Sequence, residues 1–358
     1  MNYRQSELLA ATSIMTAGTK VVDINVKDPI SRIMVVVRGT NSSWTPVGHP
    51  SLIVKEVELV DGSDVLFSMR GCYAQAVSFY GTRKQPFSYC NYTDNGICNA
   101  NIPLDFGRRL YDPDLALDPT RFNNLQLKIA HNYALGGATP DACTLEVWAD
   151  LFDEKVPSPV GFLMSKSHWS KTLVASTTDY VELPTDHPIR LVMPAAFSND
   201  EEPDINIDNI KLTEDHDKRT PFEAGTLELL QMFESLWPMY EDYAEGRTSA
   251  GANVEFFFTP GKDLQLAGFP SQDTDTYVNF PWSGGNGRNV MGSATATIQI
   301  HASGRCPHGV IPIPMGDLMT IEDWWDVPKL GSARAKVVTG AGDTAALYEL
   351  LLQQLRRY

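Results

Sequence analysis

Cysteine is scarce in this 358-residue chain: Cys72, Cys90, Cys98, Cys143 and Cys306 are its five, with no CxxC spacing among them. An odd number at irregular spacing indicates neither a disulfide framework nor a zinc ribbon, so free thiols in a reducing compartment are expected. Cys90 and Cys98 flank a turn-like Asn-Tyr-Thr-Asp-Asn-Gly stretch and form the one pair that a hairpin would bring together. Long apolar runs are missing too. No stretch reaches the ~18 residues of a membrane-spanning helix, and Met1 to Lys20 lacks the basic start and apolar run of a secretory signal, so a soluble protein is expected.

Positive charge is in short supply. Lys and Arg total 29 against 44 Asp and Glu, a formal net charge of -15. The only adjacent arginines are Arg108-Arg109 and Arg356-Arg357, which read as solvated surface. Wrapping nucleic acid draws on clustered Lys and Arg to displace counterions, so no direct sequence-specific nucleic-acid binding is expected.

The common catalytic signatures are absent as well. There is no His-Glu-x-x-His, Gly-x-Ser-x-Gly, Walker phosphate loop, or Gly-x-Gly-x-x-Gly after a strand. Gly261-Lys262 lacks the upstream glycine of a phosphate cradle and reads as a turn. His301, Cys306 and His308 come nearest to a metal-ligand spacing, but His301 ends an alternating strand and Pro307 fixes a turn, so ordinary strand-end residues explain them. Asp204-Ile-Asn206-Ile-Asp208 lacks the glycine of a calcium loop and reads as a strand with a wet face. Asn41-Ser-Ser43 and Asn91-Tyr-Thr93 match a glycosylation sequon by chance. No residue is assigned a catalytic, cofactor-binding or metal-binding role, and no enzyme activity is expected.

What is present is a turn-rich globular composition, with 43% hydrophobic residues, 26 glycines and 23 prolines, in a chain long enough for two lobes. The chain also repeats itself. Val22-Asp-Ile24-Asn-Val26-Lys-Asp-Pro29-Ile30 aligns without a gap on Val181-Glu-Leu183-Pro-Thr-Asp-His-Pro188-Ile189, an offset of 159 residues, and Ile33-Met34 falls on Val192-Met193. Ile102-Pro103-Leu104-Asp-Phe106-Gly107 aligns on Ile311-Pro312-Ile313-Pro-Met315-Gly316 at an offset of 209, with Asp114 and Pro119 on Asp323 and Pro328. Each block then runs into a β-rich segment, Leu125 to Ile129 or Ala335 to Val338. The difference between the offsets means that the second copy carries about fifty extra residues, assigned to the stretch from about 199 to 304 with its acidic Asn-Asp-Glu-Glu-Pro-Asp loop and glycine-rich Pro281 to Arg288 loop.

Between the matched blocks, Gly71 to Tyr80 and Thr226 to Trp237 read as helices at comparable places, the second with Leu229, Leu230, Phe233 and Trp237 at helical spacing. The remaining apolar runs are short, β-branched and alternating: Arg32 to Val37, Leu52 to Val60, Val65 to Met69, Cys143 to Leu151, Leu173 to Ala175, Ile205 to Leu212, Val254 to Phe258, Ala294 to Ile300 and Leu347 to Leu355. The pattern predicts an all-β protein of two tandem eight-stranded jelly-roll sandwiches with short helices in connecting loops. Residues 1–20 are expected to lie outside both lobes, as a docking arm or a disordered tail, with Leu8, Leu9, Ile14 and Met15 on one face of a weak amphipathic helix. The first jelly roll is assigned to 21–156 and the second to 157–358, split at the closely spaced Pro157 and Pro159.

Three phrases set in this frame carry a family resemblance: Leu59-Val-Asp-Gly-Ser-Asp-Val-Leu-Phe67, Asp112-Pro-Asp-Leu-Ala-Leu-Asp-Pro119 leading into Asn124 to Ile129, and the closing Leu351-Leu-Gln-Gln-Leu355-Arg-Arg-Tyr358. With two tandem jelly rolls bearing a helix on the same connection, the chain resembles the double jelly-roll major capsid proteins of icosahedral, membrane-containing phages and their relatives. The resemblance implies a homotrimer whose six jelly rolls form a pseudo-hexagonal tile, and a virion shell assembled in the host cytoplasm. It further implies contacts with neighbouring capsomers and minor capsid or penton proteins, and contact of the N-terminal arm with an internal lipid membrane. Rotational symmetry makes the trimer contact heterologous, so one flank of the chain must complement its other flank. The rival reading is a carbohydrate-binding or glycan-cleaving β-sandwich protein, with Trp44, Trp282, Trp324 and Trp325 available to stack on sugar faces. Trp324-Trp325 lies at the repeat position of Leu115-Ala116, which favours packing instead.

Overall fold

A computed structural model describes residues 2–199, 201–270, 278–280, 287–342 and 346–358. In the first lobe the strands are β1 (Tyr3–Ser13), β2 (Gly18–Asp23), β3 (Ile30–Asn41), β4 (Val54–Asp61), β5 (Asp64–Met69), β6 (Ser88–Asn91), β7 (Ile97–Asp105), β8 (Leu125–His131) and β9 (Pro140–Phe152), with helix α1 (Gly71–Thr82) after β5. The second lobe begins with β10 (Gly161–Thr172), β11 (Thr178–Leu183), β12 (Ile189–Phe197), the one-turn α2 (Pro203–Asn206), β13 (Ile207–Glu214), β14 (Arg219–Gly225) and α3 (Thr226–Phe233). It continues through β15 (Tyr240–Arg247), β16 (Asn253–Phe257), β17 (Pro260–Pro270), β18 (Val278–Asn279), β19 (Gly287–Gly292) and β20 (Thr297–Pro307), and closes with β21 (Ile313–Pro314), β22 (Ala333–Thr339) and β23 (Leu347–Arg357).

Each lobe faces two four-stranded sheets with the same connectivity. In the first these are β1-β9-β3-β7 and β2-β8-β4-β5; in the second, β10-β23-β12-β21 and β11-β22-β13-β14. Both orders are those of a jelly roll, in which strands alternate between the two sheets along the chain. Alternating side chains build the cores: β8 and β22 both run buried, half-buried, buried along their length, as a strand with one face on a core requires.

The repeat seen in the sequence is the frame itself. Val22 and Val181 sit in β2 and β11, Ile30 and Ile189 open β3 and β12, and the matched Leu104 and Ile313 lie in β7 and β21, opposite Ile33 and Val192. Even the β-bulges recur: β1 is bulged between Glu7 and Leu9 against β9, and β10 between Ser167 and Trp169 against β23. Likewise β3 is bulged between Ile30 and Arg32 and β12 between Ile189 and Leu191. A bulge changes which face every later side chain occupies, so its retention at matching places keeps both cores in register.

Three expectations need correction. Residues 1–20 are no arm: Tyr3 to Ser13 pair antiparallel with β9, Tyr3 opposite Phe152 and Ser13 opposite Thr144, and make the first strand of the first jelly roll. The Leu8-Leu9 doublet that suggested a helix marks a bulge, which locally breaks the alternation. The enlarged connection is not 199–304, because β13 and β14 within that span belong to the second frame; the insertion lies between β14 and β21. Of the short runs, Leu173 to Ala175 follows the end of β10, and Asp204 and Asn206 lie in the turn α2, where Pro203 at the first helical position favours a helical start. The Pro281 to Asn286 part of the glycine-rich loop, with Trp282, and Asp200 of the acidic loop lie outside the described residues.

Helix α1 is buried from Gly71 to Gly81 and ends on Arg83, whose left-handed φ of 59° lets its N–H reach the Phe79 carbonyl. Gly71 is required by contact: a Cβ there would stand 2.8 Å from the Val54 Cβ and 2.9 Å from the Ile102 Cδ1.

Candidate assembly surfaces

The two lobes are joined by one sheet that continues from one jelly roll to the other and by a second that continues from the first jelly roll into the insertion. β5 lies parallel to β10, with Phe67 opposite Ser165 and Ser68 opposite Lys166. β6 lies parallel to β15, with Cys90 opposite Ala244 and Asn91 opposite Glu245. The first contact joins β2-β8-β4-β5 to β10-β23-β12-β21 in one eight-stranded sheet that spans both jelly rolls; the second extends β1-β9-β3-β7 through β6 into the insertion strands β15, β20 and β17, while β11-β22-β13-β14 stays a four-stranded sheet. The strands that meet at the first contact are buried: Leu66, Phe67, Met69, Phe162, Leu163, Met164 and Ser165 are all inaccessible to solvent or nearly so.

Polar groups fix the seam. The Arg356 guanidinium donates to both carboxylate oxygens of Asp64, a bidentate pair that holds the Asp64 carboxyl below the usual carboxylate range. Arg70 Nε lies 2.8 Å from Glu349 Oε1. Arg190, fully buried on β12, donates to the Leu318 carbonyl at 3.0 Å, to Gln353 Oε1 at 2.6 Å and to the Gly81 carbonyl at the C-terminus of α1 at 2.9 Å. Burial pushes its pKa down to about 9, so it stays charged at neutral pH and faces carbonyls and an amide rather than a carboxylate. The Tyr80 hydroxyl donates to the Val310 carbonyl at 2.8 Å, and the Trp237 indole N–H to the Tyr80 carbonyl at 2.9 Å. A groove of about 670 Å³ at the seam is lined by Val47, Leu135, Arg70 and Glu349 among others.

A second buried cluster ties the insertion to the first lobe. His49 shares Nδ1 with the Ser51 hydroxyl at 2.7 Å and Nε2 with the Thr259 hydroxyl at 3.1 Å, and lies 3.8 Å from Asp242 Oδ2. His308 Nε2 meets Gln75 Oε1 at 2.9 Å, its ring edge-on to His49 with centroids 5.1 Å apart. Burial pushes His49 down to about 3 and His308 well below its ordinary value, and raises Asp242 to about 6, so both imidazoles are neutral at pH 7.

Residues singled out by spacing do not assemble into a centre. His301 stacks on Tyr243 at 4.7 Å, Cys306 is buried in the second lobe's core, and His308 turns to Gln75. Among the described residues no three His, Cys, Asp or Glu side chains are placed to hold a metal ion. All five cysteines are buried free thiols, and although Cys90 stands opposite Cys98 across β6 and β7, the Cys98 thiol donates to the Asn91 carbonyl. Asp204 instead accepts, with Glu202, from Lys262 Nζ at 3.0 and 2.7 Å. Asn41 is buried, its side chain bonded to the Asn91 carbonyl and the Ala138 N–H. Trp324 and Trp325 are buried, and the Trp44 ring carries the Arg247 guanidinium 4.7 Å above it, so no open aromatic platform for a sugar forms among them. Among the described residues no helix is long and apolar enough to cross a membrane. Arg190, His49 and Asp242 gave no sequence signal, because only the fold buries them.

No family model matches the chain, and no curated protein sequence matches it. Solved structures do. The major capsid protein of Sulfolobus turreted icosahedral virus superposes with a TM-score of 0.58 at 11% identity, over 98% of this chain and 96% of that one. The major capsid protein of bacteriophage PM2 gives 0.55 at 9% identity, over 99% and 98%. The PBCV-1 virus capsid protein gives 0.53 at 10%, over 99% and 94%. The fold is the double jelly roll.

A double jelly roll has two outer flanks, and among the described residues both are bare. β1 has β9 on one side and β14 has β13 on one side, and among the described residues neither has a strand on the other. Neither contains a buried residue, in contrast to β5 and β10 at the seam. Exposed edges of this length are a pairing surface that a monomer would normally protect.

Proposed function

We propose that this chain is a major capsid protein, a structural subunit that forms pseudo-hexagonal trimers and tiles an icosahedral virion shell around an internal membrane. The observation that carries the reading is the pair of jelly rolls fused side by side through one continuous sheet, with the same strand types that fuse them left unpaired on the outside among the described residues. A unit of this kind polymerises into a closed ring through a heterologous contact. The similarity to viral capsid proteins over nearly the whole chain supports the same reading. Its two units are the frames from β1 to β9 and from β10 to β23, with the insertion between β14 and β21 as outward decoration. Neighbouring capsomers and minor capsid or penton proteins are its partners, the virion its location and the host cytoplasm its place of assembly. Neither catalysis nor a cofactor belongs to the role.

Light scattering of the purified protein followed by negative-stain imaging of the same peak tests this. The expected result is a particle with the mass of three 39.6 kDa chains and a hexagonal outline. A monomer that never forms arrays on concentration would overturn it.

A further inference from the structure

The seam inside the chain is a template for the contact between chains, because the two lobes correspond residue by residue. Matching bulges place β10 on β1 at an offset of 160 residues, Ser167 and Trp169 on Glu7 and Leu9. The same pairings place β23 on β9 at an offset of 203, Leu351 on Trp148. The hairpin pairs Leu59 with Phe67 and Leu212 with Phe222, which places β14 on β5 at an offset of 155. Helix α3 continues that last offset, Thr226 falling on Gly71.

Carrying the seam over these offsets gives a specific contact. Phe67 opposite Ser165 becomes Phe222 opposite Gln5, and Ser68 opposite Lys166 becomes Glu223 opposite Ser6. The ion pair carries over with its polarity reversed: Asp64 becomes Arg219 and its partner Arg356 becomes Asp153. Arg219 is 71% exposed and is held at Glu214, and Asp153 is 40% exposed with Arg4 at 3.7 Å. Two unrelated positions, far apart in the chain, thus carry opposite charges where the template needs them. Apolar exposure follows the same rule. Cys72 and Val77 of α1 are 1% and 4% exposed, while their counterparts on α3, Leu227 and Met232, are 48% and 55% exposed.

We propose that β14 of one copy lies parallel against β1 of the next copy, with Phe222 beside Gln5, Glu223 beside Ser6 and Arg219 paired to Asp153, and that the same contact covers Leu227 and Met232. This rests on the trimer reading above and names the two flanks that close it. Six jelly rolls then follow one another through alternating internal and external versions of one seam.

The test is a Ser6→Cys, Glu223→Cys double variant of the full chain, treated with a mild oxidant or a short bismaleimide. Glu223 is exposed and Ser6 half-buried, while the five native thiols are buried. Covalent dimers and trimers on a denaturing gel, absent from either single variant, are the expected result. Asp153→Arg, with an unchanged unfolding transition, is expected to raise the concentration at which trimers dissociate about tenfold, the scale of a broken charge pair at an interface. A wild type that is trimeric by light scattering while the double variant stays uncrosslinked overturns this contact and leaves the capsid reading standing. A wild type that is monomeric at every concentration overturns the capsid reading itself.

Discussion

Helix α1 and helix α3 occupy the same connection in their respective jelly rolls, start at corresponding residues and follow corresponding strands, yet one is enclosed and the other half bare. α1 is surrounded because the second lobe lies beside it: Arg190 caps its C-terminal carbonyl, and Trp237 and Val310 hold Tyr80. α3 has its own lobe on one face, through Leu229 and Leu230, and nothing of this chain among the described residues over Leu227 and Met232. The difference teaches that burial in this protein depends on whether the next lobe belongs to the same chain, and not on the local sequence of the helix.

Substitutions at paired positions should separate the two cases. Val77→Asp places a carboxylate where nothing can solvate or pair it and should cost the fold more than about 4 kcal/mol, read as failure to refold or loss of the urea transition. Arg190→Ala leaves the Leu318 and Gly81 carbonyls and Gln353 without their donor, with an expected loss of roughly 3 kcal/mol in the same assay. Its counterpart in the first lobe is Ser31, whose hydroxyl accepts from the Tyr111 N–H, and Ser31→Ala should cost about 1 kcal/mol. Met232→Asp, at the position matching Val77, should move unfolding of the isolated chain by no more than about 0.5 kcal/mol. If Met232→Asp proved as damaging to that transition as Val77→Asp, the comparison would fail.

Acid should act on the contact between the insertion and the first lobe. His49 and His308 are held below their unfolded value, so they contribute stability that is present above pH 6.5 and lost as pH falls toward His49's folded value of about 3. Asp242 works the other way: raised from 3.8 to about 6, it takes up a proton in the folded state first and regains some stability as pH falls through that window. Two imidazoles against one carboxyl leave a net loss, roughly 1 kcal/mol per pH unit between pH 6 and 4, measurable by urea titration at fixed pH. Asp242→Asn removes the offsetting group and should steepen that decline.

Much of the frame was legible because jelly-roll strands leave a strict imprint on residues. The Pro-Ile entry into β3 and β12, the matched Ile-Pro-Leu of β7 and Ile-Pro-Ile leading into β21, and the alternation of β8 and β22 each reflect a position where one face must be buried or the turn is sharp. β1 escaped for the opposite reason. Its bulges disturb the alternation, and with no strand on its outer side among the described residues its core face, Leu8 and Leu9 included, is only half-buried and demands fewer apolar residues. The insertion was mislocated because β13 is preceded by the turn α2 and an acidic loop, which look like decoration until the pairing with β22 is known.

By itself the sequence determined the all-β class, the doubling of the unit and the place of its connecting helices, since these follow from local alternation, turn chemistry and the periodic need for a core. Only the tertiary structure decided that Tyr3 to Ser13 is a strand, that Arg190 and His49 are buried, and which edges remain open. Strand pairing and burial arise between residues more than a hundred positions apart, and a single strand's pattern does not name its partner.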